Sequence, residues 1–173
     1  YAVSFVEEEY LLLLNNDILI ESGFAVTTLL KTHLFYNAII TGSKLLYPSG
    51  KIQHNGLSST MEKHIAINSP FCRHFTDLNH EFSLDQYVHP WERTHECSAV
   101  TAACMIMRKE EFLRIDGFDE DFKVAYNDVD LCFRAKKEYH QRPIICSTEA
   151  KIYHLESESR GEDNDDESGT RLY

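Results

Sequence analysis

The stretch LLLLNND, residues 11–17, joins the most hydrophobic run of the chain to two amides and a carboxylate. Apolar residues resume at Ile18, so the polar tripeptide interrupts an apolar segment. The continuous run YLLLL is typical of an interior strand of a parallel sheet that is covered on both faces. The tripeptide that follows has two interpretations. It is either a turn that closes a buried strand, or a strand end that delivers a metal ligand to a site.

The composition is that of one folded domain with an acidic surface. The chain has 173 residues, of which 43% are hydrophobic, so it is long enough to bury a core. Its formal net charge of −11 argues against a nucleic-acid partner or an anionic membrane surface, both of which require clustered Lys and Arg. Acidity identifies no partner by itself.

The cysteine pattern favours a reducing compartment. The five cysteines are odd in number and form no CxxC pair, and Cys104, Cys132 and Cys146 lie in apolar runs. We therefore expect buried free thiols. We see no signal peptide and no apolar run near the ~20 residues that span a bilayer, so the expected location is the cytoplasm.

Helix and strand patterns alternate along the chain, which predicts an α/β fold. Residues 1–9 are predicted as a helix end, and a helix opening at Glu21 is predicted to bury Phe24, Leu29, Leu30 and Leu34. Residues 62–96 show no clear period and are interpreted as a long irregular excursion. The acidic tail, residues 162–173, is expected to be disordered. The other predicted strands are 38–47, a hairpin return after the PSGK turn, 98–107, 143–147 and 151–153; the other helices are 109–115 and 127–139.

Three polar clusters stand at the ends of apolar segments. Besides residues 15–17, these are YNDVDLCFR (126–134) and IYHLESESRG (152–161). In the second cluster Asn127 is a good N-cap and Asp130 lies four residues before Arg134, which explains a helix start without any chemistry. Alternatively, a carboxylate at that helix start could serve as a general base. His154 in the third cluster is either a hydrogen-bonded structural residue or a metal ligand.

The order of these motifs resembles family 2 glycosyltransferases of the GT-A fold. The segments that carry the resemblance are LNND, KLLYPSGKIQHNG, SAVTAACMIMRKEEF, GFDE, NDVDLCFR and YHLESESRG, and they span nearly the whole chain. The chain is most similar to the bacterial, rhamnosyltransferase-like branch that builds cell-surface polysaccharides such as O-antigen. The resemblance implies a mixed sheet flanked by helices, with residues 1–161 forming the metal and acceptor side of the catalytic domain. It also implies that the strand and loop that grip the nucleotide precede Tyr1.

The resemblance implies roles for individual residues. Asp17 closes a DXD-type motif and would bind the divalent ion, Mn²⁺ or Mg²⁺, that bridges the donor diphosphate, and His154 would complete the metal site. Asn15 and Asn16 would contact the donor, and Asp128 would be the catalytic base. Candidates for the acceptor side are Asn127, Asp130, Trp91 and His54.

These roles predict a metal-dependent inverting transferase with a nucleotide-sugar donor and a glycan or lipid-linked glycan acceptor. Segments outside this chain would supply any peripheral association with the inner face of the cytoplasmic membrane. The chain departs from the family pattern at Asn127, where Glu is usual, and at Asp116, where Gly is usual. Two alternatives stay open: a catalytically silent domain of this fold that binds carbohydrate or serves assembly, and a nucleotidyltransferase or diphosphate hydrolase.

Overall fold

The described part of the chain is a mixed α/β protein. The computed structural model describes residues 2–58, 73–74, 93–122 and 126–155. Its strands are β1 (Tyr10–Leu14), β2 (Ile18–Leu19), β3 (Ile40–Leu46), β4 (Ile52–His54), β5 (Leu57–Ser58), β6 (Arg73–His74), β7 (His95–Cys97), β8 (Cys104–Arg108) and β9 (Ile144–His154). Its helices are α1 (Ala25–Phe35), α2 (Lys109–Arg114) and α3 (Asn127–Glu138), preceded by a short 3-10 helix, Ala2–Phe5.

One mixed sheet organises these elements. Within the described residues it has seven strands in the order β1-β8-β3-β9-β2, with β4 added beside β3 and β7 beside β9. Only β3 and β9 run parallel, and the other pairings are antiparallel. The carboxyl ends of β1, β3 and β9 consequently meet the starts of β8 and β2 at one edge of the sheet, which we call the rim.

Alternation along β8 builds a core on each face of the sheet. Met105 and Met107 pack in one cluster with residues of α2 and α3, such as Phe112 and Leu131. Cys104 and Ile106 point to the opposite face and pack in a second cluster with Ala25 and Leu29 of α1. This is the period-two pattern of a strand that is covered on both sides.

The predicted setting of β1 is wrong in one respect. Both faces of β1 do contact a core, because Leu11 and Leu13 join one cluster and Tyr10 and Leu12 the other. The strand is antiparallel to β8, however, and it lies at one end of the strand order in the described residues. The continuous hydrophobic run therefore indicated that both faces of β1 contact a core, but it did not indicate the direction of the strand.

The predicted buried face of α1 is only partly correct. Leu29 is fully buried, but Phe24 is 77% and Leu34 52% exposed. The buried positions are Ala25, Leu29, Thr32 and His33. Polar side chains occupy the inner face here because they bond to the sheet: Thr32 Oγ1 lies 3.3 Å from Ser147 Oγ, and His33 Nδ1 lies 3.1 Å from Thr41 Oγ1.

The two short strands predicted at 143–147 and 151–153 are one strand, β9, with a bulge inside it. Ser43 of β3 is opposite Ser147, but Leu45 is opposite Ile152, so residues 148–151 of β9 face the single residue Lys44. The polar stretch STEAK at 147–151 therefore marks an irregularity within one strand and not its end. The predicted strand at 98–107 also starts later, at Cys104.

Other predictions are confirmed. The PSGK turn closes a β3–β4 hairpin, with the Gly50 N–H donating to Tyr47 O at 2.8 Å and with Gly50 at φ 80°. Helices α2 and α3 lie where they were predicted, and α3 buries Leu131, Cys132 and Ala135. Among residues 2–9 the 3-10 helix is the only helical element, and within the supposed irregular excursion at 62–96 the structure has β6 and the first two residues of β7. Most of that excursion and the tail at 162–173 lie outside the described residues.

The described cysteines are free and buried, namely Cys97, Cys104, Cys132 and Cys146. Burial raises the pKa of the Cys104 and Cys146 thiols to about 12, which makes them unreactive at neutral pH. None of the helices in the described ranges is long and apolar enough to cross a membrane.

Candidate functional site

The rim brings Asp17, Asn15 and His154 together. Asp17 precedes β2, whose Ile18 pairs with His154 at the end of β9, and the N–H of Leu155 donates to Asp17 O at 2.9 Å. His154 Nε2 consequently lies 3.1 Å from Asp17 Oδ1 and 3.4 Å from Asn15 Nδ2. The side chains of His154 and Asp17 keep 13% and 25% of their surface exposed, so the pair is sheltered but open to a ligand.

Gln53 completes this cluster, and its part in it was missed from the sequence. It lies on β4, on the opposite side of β3 from β9, and its Oε1 is 3.0 Å from His154 Nδ1. The only sequence signal was a polar residue in the returning strand of the hairpin. Residues Asn15, Asp17, Gln53 and His154 are called the rim cluster below.

The chemistry of the rim cluster suits a divalent cation. Each ring nitrogen of His154 faces an oxygen, yet a neutral imidazole has one N–H to donate. If Nδ1–H donates to Gln53, the Nε2 lone pair and the Asp17 carboxylate are adjacent acceptors that a cation can bridge; in the other tautomer Nε2–H donates to Asp17 and no cation is needed. Two neighbouring ligand atoms ~2.1 Å from an octahedral ion are about 3.0 Å apart, close to the observed Nε2 to Oδ1 separation.

The rim cluster alone is not a complete cage. In the described ranges no group of three or more His, Cys, Asp or Glu side chains is arranged to hold a metal ion. Asp17 and His154 supply two ligands and Asn15 an amide, so water or a bound substrate would have to fill the remaining positions. Mg²⁺ and Mn²⁺ are commonly bound in this way, by a few protein ligands together with the phosphates of a substrate.

Asp128 is anchored to the same rim by the turn before β8. Its Oδ2 accepts a hydrogen bond from the Ala102 N–H at 3.2 Å, and its Oδ1 accepts one from the Val129 N–H at 2.8 Å. The next residue of the turn, Ala103, accepts the Asn15 N–H at 3.0 Å through its carbonyl. Residues 101–103, which we call the rim turn, therefore hold both Asn15 and the start of α3.

His54 accepts a hydrogen bond from the backbone of the rim turn. It is 3% exposed, and its Nε2 accepts the N–H of Thr101 at 3.3 Å. The Thr101 hydroxyl in turn accepts the Ala103 N–H at 3.2 Å. The predicted acceptor-side role of His54 stays a prediction, and its observed contact is with the backbone of the rim turn.

The remaining predicted residues have varied settings. Asp130 pairs with Arg134 at 2.6 Å, and Arg134 also donates to Gly117 O at 2.7 Å, so Asp130 helps to tie α3 to the end of α2. The predicted N-cap is wrong: the cap position is Tyr126, at φ 66°, and Asn127 is the first helical residue. Asn127 Oδ1 instead accepts the Asp128 N–H at 2.8 Å. Asn16 is exposed, and Trp91 lies outside the described residues.

Fold and site together define a mixed α/β protein with a polar cluster and a separately anchored carboxylate at one edge of its sheet. No protein-family model matches the chain. It is similar to the O-antigen biosynthesis protein RfbC of Myxococcus xanthus, with 30% identity over 94% of this chain. It is also similar to the uncharacterized protein y4gI of Sinorhizobium fredii, with 29% identity over 76% of the chain. The chain spans only 12% and 13% of the lengths of these two relatives.

Proposed function

We propose that the chain is the metal and acceptor side of an inverting GT-A glycosyltransferase of family 2. It would transfer a sugar from a nucleotide-sugar donor to a hydroxyl of a glycan or lipid-linked glycan, in the assembly of a surface polysaccharide. One observation carries the proposal: the rim turn accepts the Asn15 N–H at Ala103 and donates to Asp128 from Ala102. The candidate cation-binding cluster and the candidate base thus both form hydrogen bonds with the same short backbone segment.

The rim cluster would hold the cation. Asp17 and His154 are its ligands, with Asn15 beside them, and an imidazole ligand suits Mn²⁺ somewhat better than Mg²⁺. The bound cation supplies Lewis acidity that stabilises the departing nucleoside diphosphate. By accepting Nδ1–H, Gln53 would orient the imidazole so that Nε2 is free to bind the cation, which is the usual role of the hydrogen-bond partner of a metal-binding histidine.

Asp128 would act as the general base. The acceptor hydroxyl gives its proton to an Asp128 oxygen while the hydroxyl oxygen forms a bond to the anomeric carbon and the bond from that carbon to the diphosphate breaks. The N–H groups of Ala102 and Val129 fix the carboxylate, and each oxygen keeps a lone pair for the proton. A base on one face of the sugar and a leaving group on the other produce inversion.

One of the two relatives supports the biological setting. RfbC of Myxococcus xanthus is named for O-antigen biosynthesis, and its matched portion covers nearly all of this chain. We extend that setting to this protein as part of the proposal, together with a cytoplasmic location where nucleotide sugars are made available.

Transfer assays on the full-length protein test the base. Asp128→Asn should reduce transfer from a panel of nucleotide sugars at least about 100-fold while leaving donor binding unchanged. Glu120→Gln, an exposed carboxyl in the loop before α3, is the matched control and should keep full activity. Near-normal transfer by Asp128→Asn would show that the base is elsewhere, and binding of saccharide without any transfer would favour the catalytically silent alternative.

Cation binding is measured separately by electron paramagnetic resonance of Mn²⁺. Asp17→Asn and His154→Ala should each weaken Mn²⁺ binding at least about tenfold, whereas Asp128→Asn should not. Wild-type affinity in Asp17→Asn would overturn the assignment of the ligand, whatever the transfer assay shows.

A further inference from the structure

A second concave site lies away from the rim, between α1 and the edge of β9. It is a pocket of about 350 Å³ lined by Thr28, Lys31, Thr32, Phe35, Tyr36, Thr94 and Glu149. This volume is at the lower end of the range for small-molecule sites. None of the residues that line the pocket belongs to the rim cluster, so the two sites are distinct.

The bulge in β9 is what places Glu149 in the pocket. Residues 148–151 face only Lys44 of β3, so the register with β3 is interrupted there, and Glu149 is exposed between the buried Thr148 and Ala150. Of the strands that flank β9 on its far side, β7 ends its pairing at Cys146 and β2 begins at Tyr153. A gap in the described strand pairing therefore lies at the bulge, and Glu149 lines the pocket there together with residues of α1. Bulges commonly redirect a side chain toward a site in this way.

The charged groups of the pocket are available to a ligand. Neither Lys31 nor Glu149 forms an ion pair with another residue in the described ranges, and both are exposed. The Thr94 hydroxyl accepts the Thr148 N–H at 3.3 Å, which leaves its own proton to donate. The lining thus offers a cation, a carboxylate and hydroxyl groups within one small volume.

One side of the pocket is aromatic. Phe35 is 82% exposed and Tyr36 39% exposed, and their rings meet edge to face with centroids 5.0 Å apart. A phenylalanine exposed to this degree does not gain the free energy that burial would provide. Its position next to a polar cavity therefore points to a role in binding. An aromatic face beside hydroxyl and carboxylate groups fits a molecule with one apolar face and a ring of hydroxyls at its edge.

We infer that this pocket binds a saccharide, with the carbon face of the sugar on Phe35 and its hydroxyls on Glu149, Lys31 and the threonines. A phosphate or nucleotide fits less well, because the single lysine is balanced by a carboxylate and no cluster of cations is present in the described lining. That the saccharide is a distal part of the glycan under assembly rests on the proposed function. The pocket would then hold a glycan at a second point while its end lies at the rim.

Nuclear magnetic resonance titration of the ¹⁵N-labelled chain tests this inference. The probes are the methyl glycosides of glucose, galactose, N-acetylglucosamine and rhamnose, with inorganic phosphate as a comparison. At least one glycoside should shift the amide signals of Thr28, Phe35, Thr94 and Glu149, and phosphate should not. Phe35→Ala should weaken that binding at least about fivefold, and Glu149→Gln should also weaken it.

Phe24→Ala is the matched control, because Phe24 is equally aromatic, 77% exposed and next to the start of α1 but does not line the pocket. It should bind the glycoside as the wild type does. No shift with any glycoside, shifts by phosphate alone, or unchanged binding in both pocket variants would each overturn the inference. Asp128→Asn should keep the pocket binding, so a failure of transfer and a failure of this site give different results.

Discussion

His154 is held by an oxygen on each side of its ring, and Gln53 decides which nitrogen faces Asp17. Gln53→Leu removes the acceptor at Nδ1, so the ring loses both its fixed rotation and its preferred tautomer. We expect Mn²⁺ affinity to fall by about 10-fold or more. Gln53→Glu keeps an acceptor at the same place and should bind Mn²⁺ much as the wild type does. Equal affinity in the wild type and Gln53→Leu would exclude the positioning role.

His33 makes the fold sensitive to acid. It is 2% exposed, and burial first and the Arg142 charge second lower its pKa from 6.5 to about 4. The folded state therefore binds fewer protons than the unfolded state between these two values. Stability is fully present above pH 6.5 and is lost as the pH falls toward 4. From pH 7 to pH 5 this one group should cost about 2 kcal/mol.

Urea unfolding at pH 7 and pH 5 measures that loss. The groups around His33 are Thr41 on β3, the Tyr10 ring in edge-to-face contact at 5.6 Å, and Arg142 before β9. His33→Gln keeps a hydrogen-bonding side chain but cannot titrate in this range. Its loss of stability between the two pH values should be smaller than that of the wild type, and an identical loss would mean that carboxyl groups account for the effect.

At the residue scale the sequence indicated candidate side chains but not the groups that contact them. Asp17, Asp128 and His154 were singled out because each belongs to a polar cluster at the end of an apolar segment, and their roles stay predictions. Gln53 was placed only in the hairpin segment QHNG, at the border of the acceptor site, because its contact with His154 depends on β4 lying across β3 from β9, which no local pattern records. The same holds for Ala102, whose part in the site is a backbone N–H.

At the scale of elements, β3 depends on a glycine that allows the chain before β8 to approach it. A Cβ on Gly42 would lie 2.5 Å from the Cβ of Val100, so Gly42→Ala requires this chain to move. We expect a loss of about 1–3 kcal/mol in the free energy of unfolding. Because Val100 immediately precedes the rim turn, the displacement should also weaken the hold on Asp128.

The double variant Gly42→Ala/Val100→Ala tests whether that approach is the cause. It removes the two Val100 methyl groups that an added Cβ would meet at 2.8 Å, so part of the lost stability should return relative to the sum of the single variants. Strict additivity in urea unfolding would mean that the Val100 methyl groups are not the cause of the lost stability.

The predicted elements were most accurate where local patterns decide the structure. The PSGK turn and the buried face of α3 follow from turn chemistry and helical spacing, and both were found in place. The direction of β1 and the unity of β9 depend instead on partners distant in sequence, β8 and β3. Polar residues 148–151 look like a break between strands because a bulge places them outside the ladder.

At the scale of the whole molecule, the sheet brings the candidate residues to one edge by combining both strand directions. The end of β1 meets the start of β8 through the Leu14–Cys104 pair, and the parallel β3 and β9 end on the same side. Residues 15–17, the rim turn, Asp128 and His154 therefore reach the rim from four separate parts of the chain. From the sequence, only the family resemblance predicted that these segments lie close together.

At the end of the sheet opposite the rim, Arg142 connects elements from both sides of the sheet. Its guanidinium donates to the carbonyls of Asn37, at 3.0 Å, and Ala38 and forms an ion pair with Glu111 of α2, whose side chain is 6% exposed. It thereby joins the connection between α1 and β3, on one side of the sheet, to α2 on the other. Arg142→Met leaves the Glu111 carboxylate buried without its partner, and we expect a loss of about 3–5 kcal/mol.

A double-mutant cycle in urea separates this pair from general damage. Arg142→Met/Glu111→Leu removes the stranded charge as well, so a coupling energy of about 1–3 kcal/mol should appear. Arg114→Met, which breaks the exposed pair with Glu138, is the matched control and should barely shift the unfolding midpoint. In Arg142→Met the pKa of His33 should also rise, since a charge that lowers it is gone. Additive losses together with an unchanged His33 pKa would mean that Arg142 acts only through its backbone contacts.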